Sequence, residues 1–349
     1  MKLGTRLHYS VEDWKPAIDR IVELERRGVD RVWVSEAYGY DAVSLVGYLA
    51  ARTERVEIGT GILNVYSRTP AAIAQTAAGC DRLSDGRFIL GLGASGPQVI
   101  EGFHGVAYEK PLSRISDYID IVRMALRKER LVHDGRVMQV PLPPGQGTGL
   151  GKPLKLIGSP VRTEIPIWWA SLMAKSVAQT ARIADGWLPT LVVPERLDEV
   201  WGDALATGFA DRPDELGPLE IQMSPTVAIG DQYAGGESDR VLTAARQHVA
   251  LYWGGMGARE KNFYNTIARE QGFEEEAIRV QDLYLEGHKA DAAAAVPEEF
   301  LVNAHLVGPA GFVAERLAAM REAGVTSLNV TMAGDDPLAE FDQLRDLVG

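Results

Sequence analysis

Residues 57–75 read EIGTGILNVYSRTPAAIAQ, a complete strand-to-helix unit. Val56 to Ile62 is an apolar run with Gly59 and Gly61 near its C-terminal end. A polar loop, Asn64 to Thr69, leads into a helix opened by Thr69-Pro70. Proline in the first helical turn gives up no hydrogen bond, so Thr69 reads as the cap and Pro70 as the first residue. Glycine inside a strand marks a bulge or a close approach by another molecule. The two glycines therefore suggest backbone shaped around a flat ligand, with a merely twisted strand end as the alternative.

The same alternation extends in both directions. Leu3–Tyr9 reads as a strand and Val11–Arg27 as a helix ended by Gly28. Arg31–Glu36 is followed by helix Ala42–Arg52, Val56–Leu63 by Pro70–Leu83, and Phe88–Ala94 by a long connection to a helix over Ser113–Arg130. Asp134-Gly135 sits between two β-prone runs, a hairpin signal. Beyond a glycine- and proline-rich loop over Pro141–Pro160 come strand Ile165–Ala170, helix Ala174–Ala184 and strand Gly186–Leu191. A helix after Pro194, strand Ile221–Ile229 and helix Asp239–Tyr252 follow, then helix Pro309–Ala323, strand Ser327–Met332 and a closing helix. Several strands are apolar without alternation, as strands buried on both faces are. Eight such units predict an α/β fold, a single (β/α)8 TIM barrel spanning residues 1–349. Residues 253–300 break the rhythm and read as a helical insertion within the barrel, a lid or a subunit contact.

Bulk properties bound the function. The chain has 349 residues, 46% hydrophobic and 24% charged, with a net charge of −12. It lacks the concentrated basic face a nucleic-acid partner requires. Its one cysteine, Cys80, excludes an internal disulfide and lies in an alanine-rich stretch that suits a small buried residue. The N-terminus lacks the apolar core of a signal peptide, and no apolar run approaches the ~18 residues of a membrane span. The expectation is a cytoplasmic protein without a membrane partner.

In a (β/α)8 barrel the active site lies at the C-terminal ends of the strands. Those ends supply His8-Tyr9, Glu36, Gly61-Ile62 with Asn64, Gly93-Ala94-Ser95, Ser171, Thr190 and Ser224 to Thr226. The set lacks the paired carboxylates of a glycosidase. The six histidines, at 8, 104, 133, 248, 288 and 305, never take metal-site spacing. Few reactive side chains and much close-approach backbone suit an enzyme whose cofactor carries the reaction. GLGASG, Gly91 to Gly96, matches a dinucleotide fingerprint literally but enters a loop rather than a helix, with the next helix expected near Ser113. Ser171 to Lys175, where a strand passes into a helix, could cradle an anion on free amides; an ordinary capped helix is the plainer reading.

Five segments carry a family resemblance: VWVSEAYGYDA (32–42), GTGILNVYSRTPAAIAQ (59–75), GRFILGLGASGPQVIEGFHGVAYEKPLSR (86–114), PIWWASLMAKSVAQTARIADGWLPT (166–190) and YWGGMGAREKNFY (252–264). Together they resemble the luciferase-like monooxygenase superfamily, in its coenzyme F420-dependent oxidoreductase branch, which includes methylenetetrahydromethanopterin reductases. The resemblance implies a deazaflavin at the strand ends, its ring backed by a bulge in strand three that holds a non-prolyl cis peptide at Gly61–Ile62. It implies ring contacts from Asn64 and Thr190, with Gly93 and Ala94 in the neighbouring turn. It puts phosphate-binding amides at Ser171, Leu172, Met173 and Ala174, with Lys175 and Ser176 beside them, and an acidic site residue at Glu36. Two positions depart from relatives. Ala37 stands where the sugar-phosphate dehydrogenases of the branch carry histidine. Ala94 stands where luciferases carry an arginine for the flavin phosphate, which disfavours tight FMN binding.

The resemblance implies hydride transfer between F420 and an organic small molecule in a homodimer or higher homo-oligomer. Glu36 is the first choice for acid/base work, because burial at a barrel mouth raises a carboxyl pKa. His8 or Tyr9 is the second. Three other readings remain open: an FMN-dependent monooxygenase, a non-catalytic F420- or flavin-binding barrel, and a nicotinamide dehydrogenase. Trp253, Phe263, Tyr264 and Tyr284 in the insertion hint at an apolar or planar substrate.

Overall fold

The computed structural model describes residues 1–9 and 11–349. They form two compact units. The N-terminal unit comprises Leu7–Glu25 and Asp30–Ala170; the C-terminal unit comprises Met1–Arg6, Arg26–Val29 and Ser171–Gly349.

The principal strands are β1 (Lys2–Leu7), β2 (Arg31–Val34), β3 (Glu57–Thr60), β4 (Phe88–Gly93), β5 (Ile167–Ala170), β6 (Gly186–Trp187), β7 (Glu220–Met223) and β8 (Ser327–Met332). In the N-terminal unit β2, β3, β4 and β5 pair in parallel in that order. Their C-terminal ends therefore share one edge. In the C-terminal unit β6 pairs with β7, β7 with β8 and β8 with β1, again in parallel. All four residues of β2 and all six of β4 are buried.

The local signals are where the sequence put them. Thr69 accepts a hydrogen bond from the Ala72 N–H at 3.2 Å, and Pro70 is the first residue of helix Pro70–Leu83. Asp41 caps Ala42–Arg52 through the Ser44 N–H at 2.8 Å. Gly28, at φ 96°, follows the first helix, Trp14–Arg26. His133–Asp134 pairs antiparallel with Gln139–Val140 around Gly135, the expected hairpin. Cys80 is buried, and burial pushes its thiol up to about 12, so it is an inert packing residue.

Several elements differ from expectation. The third strand ends at Thr60, and the chain re-enters the sheet only at Leu63–Asn64, beside Leu92 and Gly93 of β4. The predicted strand Ile221–Ile229 divides at Ser224-Pro225, because a proline has no N–H to give a ladder. Its second part, Thr226–Ile229, pairs with β8 and with an unforeseen strand, Leu306–Gly308. Of Gly186–Leu191 only Gly186–Trp187 is strand. The loop after GLGASG holds a six-residue helix, Pro97–Gly102, and the next helix runs Pro111–Leu126 rather than Ser113–Arg130. Both start on a proline, which needs no partner there.

The 253–300 region is helical: Phe263–Glu270, Glu274–Leu285, Lys289–Ala294 and the start of Glu298–Ala304. Trp253, Phe273 and Phe300 pack with Val241, Leu242 and Val249 in one buried cluster. Trp253 is wholly buried, and Tyr284 lies where side chains on Gly254 and Gly255 would stand. Trp253 is thus core of that cluster, and half-buried Tyr284 packs against it. Among the described residues no helix is long and apolar enough to cross a membrane.

Candidate active site

The glycines first singled out at the end of β3 have different causes. A Cβ on Gly59 would come 2.5 Å from the Trp33 ring, so this glycine makes room for a core indole on the adjacent strand. On Gly91 of β4 a Cβ would collide with the Thr60 carbonyl. The Thr60 hydroxyl there donates to the Gly91 carbonyl and accepts from its N–H, each at 3.0 Å. Gly61 is different. A Cβ there meets nothing nearer than 3.5 Å, and Gly61 and Ile62 are half-buried. The Gly61–Ile62 peptide is cis, where the family resemblance placed one. Gly93 is filled from the same segment: its missing Cβ would stand 3.0 Å from Ile62 Cδ1. At Gly61 a side chain would meet only ordinary contacts with Trp33 and the Val34 carbonyl, and Ala94 follows Gly93, half-buried, on the same edge.

Asn64 follows this bulge and is 3% exposed. Its Oδ1 accepts from the N–H groups of Tyr66, at 3.1 Å, and Ser67, at 2.8 Å. Those bonds fix the amide's orientation. They turn Nδ2 toward His104 Nε2 at 3.4 Å. With an amide as donor, His104 Nε2 is the acceptor in this contact. His104 is a site residue that sequence reasoning passed over; its only signal was its place in the loop after β4.

Glu36, just beyond β2, is 7% exposed. Its Oε1 accepts from Arg68 Nη1 at 2.7 Å, and its Oε2 from Arg68 Nη2 at 2.8 Å and from the Ala42 N–H at 3.1 Å. Arg68 also donates to Asp41 at 2.8 Å. The Glu36 hydrogen bond, then the charges of Glu36 and Asp41, raise the Arg68 pKa against the opposing effect of burial. Arg68 was missed because it lies 32 residues from its partner. The His8 and Tyr9 rings lie 4.0 Å apart between centroids, tilted by 35°, beside this turn. The N-terminal unit thus gathers Glu36, Gly61, Ile62, Asn64, Gly93 and Ala94 at the C-terminal edge of β2, β3 and β4, and holds His8 next to Tyr9, whose Cβ lies against Gly39.

The C-terminal unit holds the remaining candidates. Helix Ala174–Ile183 begins without a side-chain cap, and Met173 stands at its N-cap. Among the described residues the N–H groups of Leu172, Met173, Ala174 and Lys175 meet no acceptor, whereas Ser176 donates to the Met173 carbonyl at 2.8 Å. Two buried indoles hold the carbonyls before them: Trp187 Nε1 donates to Ser171 O at 2.9 Å and Trp201 Nε1 to Leu172 O at 2.6 Å. A trans peptide sets its C=O and N–H antiparallel. Anchoring these carbonyls inward therefore turns the Leu172 and Met173 N–H groups outward. The Ser171 hydroxyl is spent on Thr180 at 2.8 Å. Outward amides on an uncapped helix start, with Lys175 exposed beside them, are a donor set that fits a phosphate. Thr190 precedes a turn at Leu191, φ 55°. Buried Gln271 of the insertion clamps that turn, donating to Leu191 O at 2.9 Å and accepting from Val193 N at 2.8 Å.

The Mycobacterium tuberculosis protein Rv3520c, provisionally named a coenzyme F420-dependent oxidoreductase, is 38% identical over 99% of this chain and 98% of its own. The 5,10-methylenetetrahydromethanopterin reductase of Archaeoglobus fulgidus is 26% identical over 87% of this chain and 85% of its own. Among solved structures, the coenzyme F420-dependent tetrahydromethanopterin reductase of Methanopyrus kandleri superposes with a TM-score of 0.76 at 19% identity, covering 99% of this chain and 98% of that one. An F420-dependent secondary alcohol dehydrogenase, in complex with an F420–acetone adduct, gives 0.75 at 16% identity over 100% and 99% of the two chains. These likenesses show the fold, a (β/α)8 TIM barrel. The family model of the luciferase-like monooxygenases matches residues 1–327, and the chain belongs to that family.

Proposed function

We propose that this chain is an oxidoreductase that moves a hydride between coenzyme F420 and an organic small molecule. The observation that carries the reading is whole-length kinship with proteins named for F420, at 38% identity over 99% of the chain for one of them. Ala94, in place of an arginine for a flavin phosphate, supports F420 over FMN.

The deazaflavin would supply the hydride chemistry. The chain's own residues bind and orient. Gly61–Ile62 and the adjoining Gly93 and Ala94 offer backbone to a ring, Asn64 and Thr190 its polar contacts, and the amides of Leu172 to Lys175 a seat for a phosphate. Ser171 serves that seat through its carbonyl, and Ser176 through the turn it closes on Met173. Glu36 is committed to Arg68 and the Ala42 N–H, so its part is to hold the 36–42 turn and the 64–69 loop together. The proton then falls to an imidazole. His104, held by Asn64, is the first choice and His8 the second.

Fluorescence titration with F420 and with FMN, combined with oxygen uptake, tests the reading. Tight F420 binding without oxygen consumption is the expected result. Preferential FMN binding with oxygen uptake would overturn it in favour of a monooxygenase.

A further inference from the structure

We propose that the organic substrate is a flat conjugated molecule, received on a row of five rings formed by His8, Tyr9, Tyr38, Phe103 and His104. The proposal rests on the oxidoreductase reading above and names the substrate class of the same site.

The rings come from three separate segments of the N-terminal unit, 8–9, 38 and 103–104, and each neighbours the next. Their centroids follow at 4.0 Å from His8 to Tyr9, 6.4 Å to Tyr38, 6.4 Å to Phe103 and 5.1 Å to His104. The three longer spacings lie in the range in which aromatic rings attract one another and would attract a further ring laid beside them. The row is tied to the site at two points, Tyr38 and His104. Tyr38 stands two residues past Glu36, on a turn closed by the Gly39 N–H to the Glu36 carbonyl at 2.9 Å. A Cβ on Gly39 would come 2.9 Å from Tyr9 Cβ, so the glycine lets that turn lie directly against Tyr9. At the other end His104 meets Asn64.

The middle of the row faces solvent: Tyr38 is 56% exposed and Phe103 64%. A single exposed ring calls for no explanation, but contiguous exposed apolar surface marks a binding site. Chemistry narrows the occupant. The arginine beside the row, Arg68, is spent on Glu36 and Asp41, so it is not free to receive a phosphorylated or carboxylated substrate. Hydrogen-bonding imidazoles stand only at the ends. A molecule apolar across its face and polar at its edges, such as an aromatic carbonyl compound, matches that order.

The test compares 1,4-naphthoquinone with cyclohexanone by calorimetry on the parent protein and on the Tyr38→Ala/Phe103→Ala double variant, with F420 affinity and circular dichroism measured alongside. The expected result is naphthoquinone binding at least about tenfold tighter than cyclohexanone, and a loss of at least about tenfold in the double variant with F420 affinity within about twofold. Tyr38→Phe, which keeps the ring, should retain the binding. Equal affinity for the two probes, or naphthoquinone binding unchanged by the double variant, overturns the substrate class while F420 binding persists. Absence of F420 binding in the parent overturns the oxidoreductase reading instead. Should the double variant fail to fold, Phe103→Leu at its exposed position gives the same comparison.

Discussion

Arg68 grips both carboxylate oxygens of Glu36, at 2.7 and 2.8 Å, and by the same Nη2 reaches Asp41. The fork matches the carboxylate in plane, the strongest form such a pair takes. Removing one partner of a mostly buried pair leaves the other charge stranded. Arg68→Ala should therefore cost about 2–3 kcal/mol in urea unfolding. Glu36→Gln should cost less, because the amide oxygen can still accept from Ala42. If Glu36 works by positioning, Glu36→Gln should lower turnover less than about tenfold. A loss above about a hundredfold, with fold and cofactor binding intact, would restore an acid/base role to Glu36.

The glycines of β3 and β4 separate packing from ligand contact. Gly91→Ala would drive a methyl into the Thr60 carbonyl and Gly59→Ala into the Trp33 ring, and backbone in a packed core does not yield. Each should destabilise by about 1–3 kcal/mol, the usual cost of overpacking, with Gly91→Ala the worse. Gly61→Ala fits without a clash, so its melting temperature should stay near the parent's while F420 affinity falls. Normal F420 affinity in Gly61→Ala would remove that surface from the cofactor's footprint.

How much of this was legible follows from the range of each interaction. The Thr69-Pro70 cap, the Asp134-Gly135 turn and the strand–helix rhythm are written in neighbouring residues, and the structure has them. Gly59 and Gly61 look alike in sequence; only Trp33, from the next strand, tells them apart. The partner of Glu36, the indoles behind Ser171 and Leu172, and the burial of Trp253 are all contacts between distant segments. No local pattern carries them. Proline was informative in both directions: it marked the helix starts at 97 and 111, which were missed, and it broke the strand expected over Ile221–Ile229.

Ala37 sits in the left-handed region at φ 49°, where an L side chain crowds the following carbonyl. Glycine adopts this backbone without penalty, at some cost in unfolded-state entropy. Ala37→Gly should accordingly raise stability by about 0.5–1 kcal/mol. Thermal unfolding checks it, and a drop in melting temperature would show that the Ala37 methyl packs favourably enough to outweigh the strain.

His305 links stability to pH. Its Nδ1 accepts the Thr226 N–H at 3.0 Å, and its Nε2 is buried without a partner. Burial first, then the charges of His248 and Arg6, lowers its pKa to about 4. Between about pH 6.5 and 4 the unfolded chain carries the proton and the folded chain does not, so stability should fall as pH falls through that window and level off below it. The full shift corresponds to about 3 kcal/mol. His305→Asn keeps an acceptor for Thr226 and should flatten the slope. An unchanged pH profile in that variant would assign the acid sensitivity to other groups, beginning with Glu25, whose carboxylate accepts the N–H groups of Glu54, Arg55 and Val56.

Trp201 offers a way to probe the phosphate seat without touching it. Its indole N–H holds the Leu172 carbonyl at 2.6 Å from inside the core, and the Met173 N–H shares that peptide plane. Trp201→Phe keeps most of the ring and deletes the donor. It should cost about 1–3 kcal/mol for the carbonyl left without a partner. If the loop's orientation is what presents the amides, affinity for whole F420 should fall by about tenfold, while affinity for its phosphate-free deazaflavin fragment stays the same. A purely structural role for Trp201 would weaken both ligands alike, and equal losses would therefore remove Leu172 and Met173 from the phosphate site.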